Sequence, residues 1–154
     1  MTKLAVWLAT GLGAGYSPFA PGTVGTLWGV LIAWAVNSSV TAWWQQAAIS
    51  VVLIVVALPL CSIGEAQAGS KDPHCVVADE YATFPLCVIG LPASPAIFAV
   101  AFVVHRVLDI IKPPPARQIQ VLPRGWGIML DDVISSLYAL AINHAVYSFI
   151  LQRI

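Results

Sequence analysis

The acidic residues of this chain are confined to its middle, and that distribution limits what the chain can fold into. All seven acidic residues lie between Glu65 and Asp132, whereas residues 4–64 and 133–152 contain no Asp, Glu, Lys or Arg. Ordinary soluble domains carry about 25% charged residues, but this chain has 9%, with 59% hydrophobic residues and a mean hydropathy of +0.86. The pattern predicts a membrane protein whose polar groups gather at one face of the bilayer.

Five apolar segments, bounded by glycine, proline and charged residues, predict the helices. They are residues 3–10, 24–36, 41–63, 81–104 and 133–151. The second segment is followed by a predicted turn at 37–39. The third is long enough for a bilayer core, which requires ~20 residues. Three prolines interrupt the fourth segment, which predicts a shallow helical hairpin that turns at residues 90–92. Because strand-like alternation is weak, we expect one all-α domain over residues 1–154, a compact membrane-associated bundle of about five or six helices.

Several classes of protein are disfavoured by composition. The formal net charge is zero, so the basic stripe expected of a nucleic-acid-binding protein is missing. The three cysteines form no Cys-x-x-Cys pair, which argues against a disulfide framework and a zinc site. We interpret them as small apolar residues in a reducing compartment. The short, glycine-interrupted N-terminal stretch after Lys3 does not resemble a cleaved signal peptide.

The first of three charged clusters spans residues 72–80. Asp72 followed by Pro73 suits the N-cap and first position of a helix, so we interpret Asp72 as a cap. Asp79 and Glu80 enter an apolar stretch, where a solvated polar face is a poor explanation for two adjacent acids. They are candidates for ligands of a cation.

The second cluster spans residues 105–112. Arg106, Asp109 and Lys112 follow one another at three-residue spacing and therefore line one side of a helix end. A ladder of ion pairs at a membrane interface explains them as well as a functional site does. In the functional interpretation, Asp109 binds a metal ion and Arg106 binds a phosphate through its bidentate fork. His105 is the candidate for a histidine nucleophile, a minor alternative.

The third cluster, Asp131 and Asp132, is predicted to open the last apolar helix. The helix dipole accounts for one carboxylate there more easily than for two. The clusters together supply five carboxylates from three helices, without a Cys or His partner: Asp79, Glu80, Asp109, Asp131 and Asp132. Oxygen ligands of this kind suit Mg²⁺, as one ion or as a pair.

The Gly/Pro-rich N-terminal loop, residues 11–26, leads into the second predicted helix. Its glycines permit a nest of backbone N–H groups beside the start of that helix, which favours an anion. In this interpretation Gly22 and Thr23 contact a phosphate. A purely structural turn is the alternative.

Four ordered motifs, separated by long uncharged spacers, resemble the bacterial phosphatidylglycerophosphatase A family over nearly the whole chain. The motifs are Ser17-Pro18 with Ala20-Pro21-Gly22-Thr23-Val24-Gly25-Thr26, Asp72-Pro73 with Val77-Ala78-Asp79-Glu80, Arg106 with Asp109-Ile110 and Lys112-Pro113, and Gly127-Ile128-Met129 with Asp131-Asp132. Where the family pattern tends to have other residues, this chain has Thr83, His105, Arg124 with Trp126, and Ser135 with Ser136. These departures remove no carboxylate.

The resemblance implies a Mg²⁺-dependent membrane phosphatase that converts phosphatidylglycerophosphate to phosphatidylglycerol. The implied catalytic residues are Asp79, Glu80, Arg106, Asp109, Lys112, Asp131 and Asp132. The implied substrate-binding residues are Pro21, Gly22, Thr23, Gly25 and Thr26. No cysteine has an arginine six residues later and no Asp-x-Asp occurs, so we expect attack by a metal-activated water, with Glu80 or Asp131 as general base.

Two alternatives stay open, and both concern what the acids do. One is a phosphatase acting on another lipid phosphate. The other is a non-catalytic membrane carrier or scaffold whose intramembrane charges form ion pairs, although acids at helix ends beside Gly/Pro loops favour a surface site. The basic residues that share the side of the acids are Lys71, Arg106, Lys112, Arg117 and Arg124. By the positive-inside tendency we expect a bacterial cytoplasmic membrane protein with its active site on the cytoplasmic side.

Overall fold

A computed structural model describes residues 3–149, and all regular structure in that range is helical. The α-helices are α1 (Lys3–Ala9), α2 (Pro21–Ser39), α3 (Trp43–Ala68), α4 (Ala78–Thr83), α5 (Pro95–Ile111), α6 (Ala116–Ile119) and α7 (Gly125–Phe149). Short 3₁₀ turns occupy Ala14–Tyr16 and Phe84–Val88. The all-α prediction is confirmed, with seven α-helices in the described range, slightly above the five or six predicted.

Helix α2 is longer than the sequence predicts at both ends. It begins at Pro21, because proline fixes a helical φ and lacks the N–H that the first turn leaves unpaired. It continues through Ser39, so the turn predicted at 37–39 is wrong. The reason is tertiary: the buried Asn37 amide donates to the carbonyl oxygens of Val88 and Leu91, both at 2.9 Å, which stabilises a helical end that local sequence does not favour.

Two other helix starts differ from prediction. The helix expected at Asp72-Pro73 is absent there: Asp72 adopts a left-handed φ of 49°, and α4 begins only at Ala78. Asp72 instead accepts a hydrogen bond from Gln120 at 2.9 Å, a long-range contact. Helix α7 begins at Gly125, ahead of the predicted residue 133, so Asp131 and Asp132 lie inside it instead of opening it. Its predicted end at Leu151 falls outside the described residues.

The predicted hairpin over residues 81–104 is present, with a short first arm. Helix α4 and the 3₁₀ turn after it lead away from the acid cluster. The chain reverses at residues 89–94, and α5 returns to the cluster. Because its tip is not helical, its backbone groups need partners from elsewhere. The Gln46 side chain accepts from the Gly90 N–H at 2.7 Å, and the Asn143 amide donates to the Cys87 carbonyl at 2.9 Å.

One further partner of the tip comes from the last helix. The side chain of His144 in α7 is exposed. It nevertheless makes a hydrogen bond, because its Nε2 lies 2.8 Å from the carbonyl oxygen of Ile89. The tip is therefore held by polar side chains of α2, α3 and α7.

The hairpin packs against longer helices that surround it. Helix α4 contacts α2, α3 and α7, and α5 packs against α7 and α2. Phe84, which is fully buried, centres one apolar cluster with residues of α2, α5 and α7, while Met129 and Cys61 belong to a second. Gly29 permits the close approach of α2, since a Cβ there would lie 2.6 Å from the Cβ of Phe84. This packing brings the predicted charge clusters to one end of the bundle.

Two helices in the described range, α3 and α7, are long and apolar enough to cross a membrane by length and composition. Helix α3 has a window with mean hydropathy 2.6, and its Trp43, Val52 and Val55 side chains are more than half exposed. An outward apolar helix face of this kind is typical of contact with lipid.

Candidate active site

The three charged clusters and the N-terminal loop meet at one pocket of about 300 Å³. Its lining comes from the start of α2 (Ala20, Pro21, Gly22), the segment through α4 (Asp72, His74, Val76, Asp79, Glu80), the end of α5 (Arg106, Asp109, Ile110, Lys112) and α7 (Asp132). Residues separated by more than a hundred positions in sequence thus share one cavity. A single site built from the three clusters requires this convergence, and the fold provides it.

Asp79 and Glu80 lie in the first turn of α4, side by side and within hydrogen-bonding reach of each other. Burial raises the pKa of Asp79 well above its usual range, and the neighbouring Glu80 charge raises it further. Burial also raises the pKa of Glu80 to about 7, against the lowering effects of the Asp79 hydrogen bond and the Arg106 charge. These two carboxyls therefore hold protons near neutral pH unless a cation replaces them.

Arg106 is fixed on one side of the pocket by two partners. Its Nη1 donates to Asp109 Oδ2 at 2.7 Å and to Thr26 Oγ1 at 3.3 Å. Thr26 is itself held by donating to the Gly22 carbonyl at 2.8 Å. A Cβ at Gly22 would overlap Glu80 Oε1 and lie 3.2 Å from Arg106 Nη2, so a larger residue here would displace the ends of both side chains.

Asp109 and Asp132 face each other across the helices α5 and α7. Both are buried, with Asp132 only 2% exposed, and their carboxylates are within hydrogen-bonding reach. Among residues 3–149, buried carboxylate oxygens of Asp79, Glu80 and Asp132 have no hydrogen-bond partner. Buried acceptors are normally paired, so these oxygens are suited to a ligand that carries positive charge.

Lys112 and Asp131 form an ion pair next to the pocket. Lys112 ends α5 with a left-handed φ of 50° and also lies 4.0 Å from Asp72 Oδ2. Burial alone would lower the pKa of Lys112, but the hydrogen bond and charge of Asp131 prevail and raise it. Asp131 also accepts the backbone N–H of Asp132 at 3.0 Å. It does not line the pocket, and its role as a metal ligand stays a prediction.

The implied substrate-binding residues of α2 divide into two groups. Pro21 and Gly22 line the pocket, whereas Thr23 is not among its lining residues. Gly25 is buried against Val77, whose Cβ would lie 2.5 Å from a Cβ at position 25. Thr26 is fully buried and contacts Arg106. Gly25 therefore serves helix packing, and Thr26 orients the guanidinium.

Asp72, His74 and Ala20 line the pocket although the sequence interpretation gave them no site role. For Asp72 the available signal was its proximity to the Asp79-Glu80 pair, which the helix-cap interpretation set aside. Ala20 has a left-handed φ of 43°, an unusual conformation for a residue with a Cβ, and local sequence gives no sign of it. His105, the candidate nucleophile, is fully buried against Phe84 and outside the pocket lining.

The acids are arranged as pairs and not as one closed cage. Within the described part of the chain, no group of three or more His, Cys, Asp or Glu side chains is positioned to hold a metal ion. Two close pairs, Asp79 with Glu80 and Asp109 with Asp132, instead face the cavity. Such pairs suit an ion that takes only one or two protein carboxylates and completes its coordination with water and phosphate.

Comparison with known proteins identifies relatives of the whole chain. Residues 7–147 match the family model for phosphatidylglycerophosphatase A. A Bacteroides thetaiotaomicron protein named "Putative phosphatidylinositol-3-phosphatase" is 32% identical over 143 residues, covering 88% of this chain and 89% of the relative. No solved structure matches the chain.

Two further relatives carry the family name. Phosphatidylglycerophosphatase A of Escherichia coli is 32% identical over 142 residues, covering 90% of this chain and 81% of its own. The Haemophilus influenzae protein of the same name is 32% identical over 152 residues, covering 94% and 89%. The matched region contains every residue of the pocket, and the chain therefore belongs to the phosphatidylglycerophosphatase A family.

Proposed function

We propose that this protein hydrolyses the phosphate monoester of phosphatidylglycerophosphate, releasing phosphatidylglycerol and inorganic phosphate. Membership of the family supports the reaction and the lipid. The observation that carries the proposal is the pocket itself, which is lined both by Arg106 and Lys112 and by buried carboxylates that have unpaired oxygens. A dianionic phosphate needs cationic groups, and the carboxylates need a cation.

A second lipid phosphate has specific support. The Bacteroides relative is named for phosphatidylinositol 3-phosphate, at the same identity as the relatives named for phosphatidylglycerophosphate. The two substrates differ in that one phosphate is on a primary glycerol carbon and the other on an inositol ring. A 300 Å³ pocket accommodates a phosphate and part of a headgroup, so direct comparison of substrates must decide between them.

Mg²⁺ fits the donor set of the pocket. The candidate ligands are Asp79, Glu80, Asp109 and Asp132, all of which present oxygen to the cavity. The two close carboxylate pairs suit an ion that takes one or two protein carboxylates and completes its coordination with water and substrate phosphate. What Mg²⁺ supplies when bound is charge neutralisation of the phosphate oxygens and a lower pKa for a bound water.

The cationic side chains bind and orient the phosphate. Arg106 is held by Asp109 and Thr26 through one nitrogen, which leaves its other N–H groups to contact phosphate oxygens in the pocket. Preorganised donors of this kind stabilise charge that develops on the transferred group. Lys112 contributes a second positive charge from the other edge, and its raised pKa keeps it protonated at neutral pH.

Glu80 is the better placed of the two proposed general bases. Glu80 lines the pocket, where a carboxylate that is not itself a ligand of the ion can remove a proton from an attacking water. Asp131, the other candidate, is engaged by Lys112 and lies outside the pocket lining. After cleavage, the proton held by Glu80 is available to the departing glycerol oxygen.

We place the protein in a bacterial cytoplasmic membrane with the pocket at the cytoplasmic face. Support comes from α3 and α7, which are long enough to span. Further support is the position of the pocket at the bundle end that also carries Lys71, Arg117 and Arg124, since positive loops favour the cytoplasm.

The test is phosphate release by the purified protein from a panel of lipids, with Mg²⁺ and with chelator. The panel contains phosphatidylglycerophosphate, phosphatidylinositol 3-phosphate, phosphatidic acid and soluble glycerol 3-phosphate. The highest kcat/KM is expected for phosphatidylglycerophosphate, with loss of activity in chelator and recovery in Mg²⁺ or Mn²⁺.

Other outcomes of the panel have definite meanings. A preference for phosphatidylinositol 3-phosphate would mean that this lipid is the substrate, while the proposed mechanism would stand. Recovery by stoichiometric Zn²⁺ alone would reveal a nitrogen or sulfur ligand. No phosphate release from any lipid, by protein that retains its helical content, would favour the non-catalytic carrier or scaffold.

A further inference from the structure

An apolar groove of about 390 Å³ runs along the outside of the bundle between α2 and α5. Its walls include Leu27 and Trp34 from α2, and Ala99, Phe102 and Val103 from α5. No charged residue lines it, which distinguishes it from the site pocket. Leu27 is 50% exposed and Val103 58%, so the walls are accessible from outside the protein.

The groove begins next to the phosphate pocket. Helices α2 and α5 run antiparallel: Gly22 at the start of α2 lies against Arg106 near the end of α5, and Trp34 lies against Phe98, with ring centroids 5.1 Å apart. Phe102 and Val103 are one helical turn before Arg106, and Leu27 is just over one turn after Gly22. A molecule with a polar end at Arg106 therefore has its next segment at the mouth of the groove.

The dimensions of the groove suit a hydrocarbon chain. From Leu27 to Trp34 the helical rise is roughly 10 Å, which covers most of the ~15 Å of hydrocarbon in one leaflet of a bilayer. The Trp34–Phe98 contact lies at the far end from the pocket. An apolar groove of this length, which begins about one helical turn from the pocket that contains Arg106, matches a molecule with a phosphate head and an acyl tail.

We infer that the groove between α2 and α5 binds one acyl chain of the lipid substrate and so selects lipid over soluble phosphate esters. This inference rests on the proposed function, because it assumes that a lipid phosphate occupies the pocket. It assigns specificity to residues that take no part in the chemistry. Ala99 is the informative position, since its small exposed side chain leaves room that a larger one would fill.

The test compares Ala99→Phe with the wild type on dioleoyl and dihexanoyl phosphatidylglycerophosphate in the same detergent micelles. Filling the groove should lower the ratio of kcat/KM for the long-chain substrate over the short-chain one by roughly tenfold, through KM. The matched control is Ala48→Phe, an exposed alanine on α3 that lines neither cavity. Its ratio should equal that of the wild type.

The outcomes separate this inference from the proposed function. If the wild type hydrolyses both lipids and Ala99→Phe leaves the long-chain to short-chain ratio of kcat/KM unchanged, the inference about the groove is overturned. The proposed activity then still stands. An equal fall in both variants would show that bulk lipid around the bundle is what matters, which also overturns it. If the wild type hydrolysed no lipid phosphate, the function itself would fail. Val103→Phe, at another exposed wall position, repeats the test should Ala99→Phe not fold.

Discussion

Three carboxylate oxygens of the pocket, on Asp79, Glu80 and Asp132, are buried without a hydrogen-bond partner in the described part of the chain. At the scale of single residues this arrangement opposes folding, since a buried acceptor that lacks a donor costs about 1–3 kcal/mol. A protein retains such groups where a ligand compensates them. The pocket acids are therefore better explained by binding and chemistry than by stability.

The first prediction concerns these acids directly. Asp79→Asn and Asp132→Asn should each lower kcat by about a hundred- to thousandfold, because an amide cannot neutralise a cation. Circular dichroism and the Tm in detergent should show a folded protein. Glu65→Gln is the matched control, since Glu65 also has a buried oxygen but lies outside the pocket. Near-wild-type turnover of either Asn variant at saturating Mg²⁺ would remove that residue from the site.

Substitutions at two glycines of α2 should distinguish an effect on catalysis from an effect on helix packing. Gly22→Ala places a Cβ against the flexible ends of Glu80 and Arg106, so kcat/KM should fall while the Tm changes little. Gly25→Ala meets Val77 in the core. Its overpacking should lower the free energy of unfolding by about 1–3 kcal/mol. Thermal unfolding and steady-state kinetics measured on both variants test the contrast, and a Gly22→Ala enzyme with wild-type kinetics would contradict the close approach.

The pH dependence of stability follows from the raised pKa values of Asp79 and Glu80. The pKa of Glu80 is about 7 in the folded protein and about 4.3 in an unfolded chain. Between these values the folded state binds more protons, so stability falls as the pH rises. The Tm of the metal-free protein should therefore decrease from about pH 5 to about pH 8.

Mg²⁺ should oppose that decrease. Binding requires ionised carboxylates, so the increase in Tm on adding Mg²⁺ should be larger at the higher pH. Glu80→Gln should flatten the dependence of Tm on pH. A metal-free protein whose Tm rises over this range would show that other groups dominate the linkage.

At the scale of helices and loops, sequence predicts what is local and misses what depends on distant partners. The apolar segments located the long helices, because hydrophobic runs bounded by Gly and Pro determine them, but the ends of α2 and the start of α7 differ from prediction. The end of α2 depends on Asn37 bonding to the hairpin tip, and the conformation of Asp72 on its contact with Gln120. No periodicity reports such contacts between residues about fifty positions apart.

The same distinction applies to the site. Clustered acids in an apolar chain predict that the clusters converge, because isolated buried charges are expensive. The pairing of Asp131 with Lys112 and of Thr26 with Arg106 depends on how α2, α5 and α7 pack. The sequence therefore identifies candidate residues of the site. It does not show which of them line the pocket and which hold the lining residues in position.

The hairpin tip gives a prediction at this scale. Asn37→Ala removes the side-chain donor to the Leu91 carbonyl and one of two donors to the Val88 carbonyl, which keeps the Leu91 N–H, and should lower the free energy of unfolding by about 2 kcal/mol. The control is Ser38→Ala, which changes the adjacent exposed residue. Chemical denaturation in detergent measures both. Equal stability of the two variants would show that water or lipid headgroups already satisfy the tip.

At the scale of the whole molecule, the bundle has two unlike ends. The pocket and its basic surroundings occupy the end where α2 begins, and the polar-anchored hairpin tip lies near the end where α2 finishes. From Pro21 to Ser39 the helix rises about 27 Å, close to the ~30 Å hydrocarbon core of a bilayer. This spacing supports the proposed placement of the two ends at the two faces of a membrane, with the pocket at one of them.

This polarity yields the final prediction, tested by labelling in a bacterial host. Single cysteines are introduced at Val121, which is 75% exposed beside the pocket, and at Ser39, which is exposed at the other end. The background carries alanine at Cys61, Cys75 and Cys87 and must retain activity. A membrane-impermeant maleimide should label Ser39→Cys in cells with a permeabilised outer membrane, and Val121→Cys only in inverted vesicles. The reverse pattern would place the active site outside the cytoplasm, and labelling of both from one side would mean that the bundle does not cross the membrane.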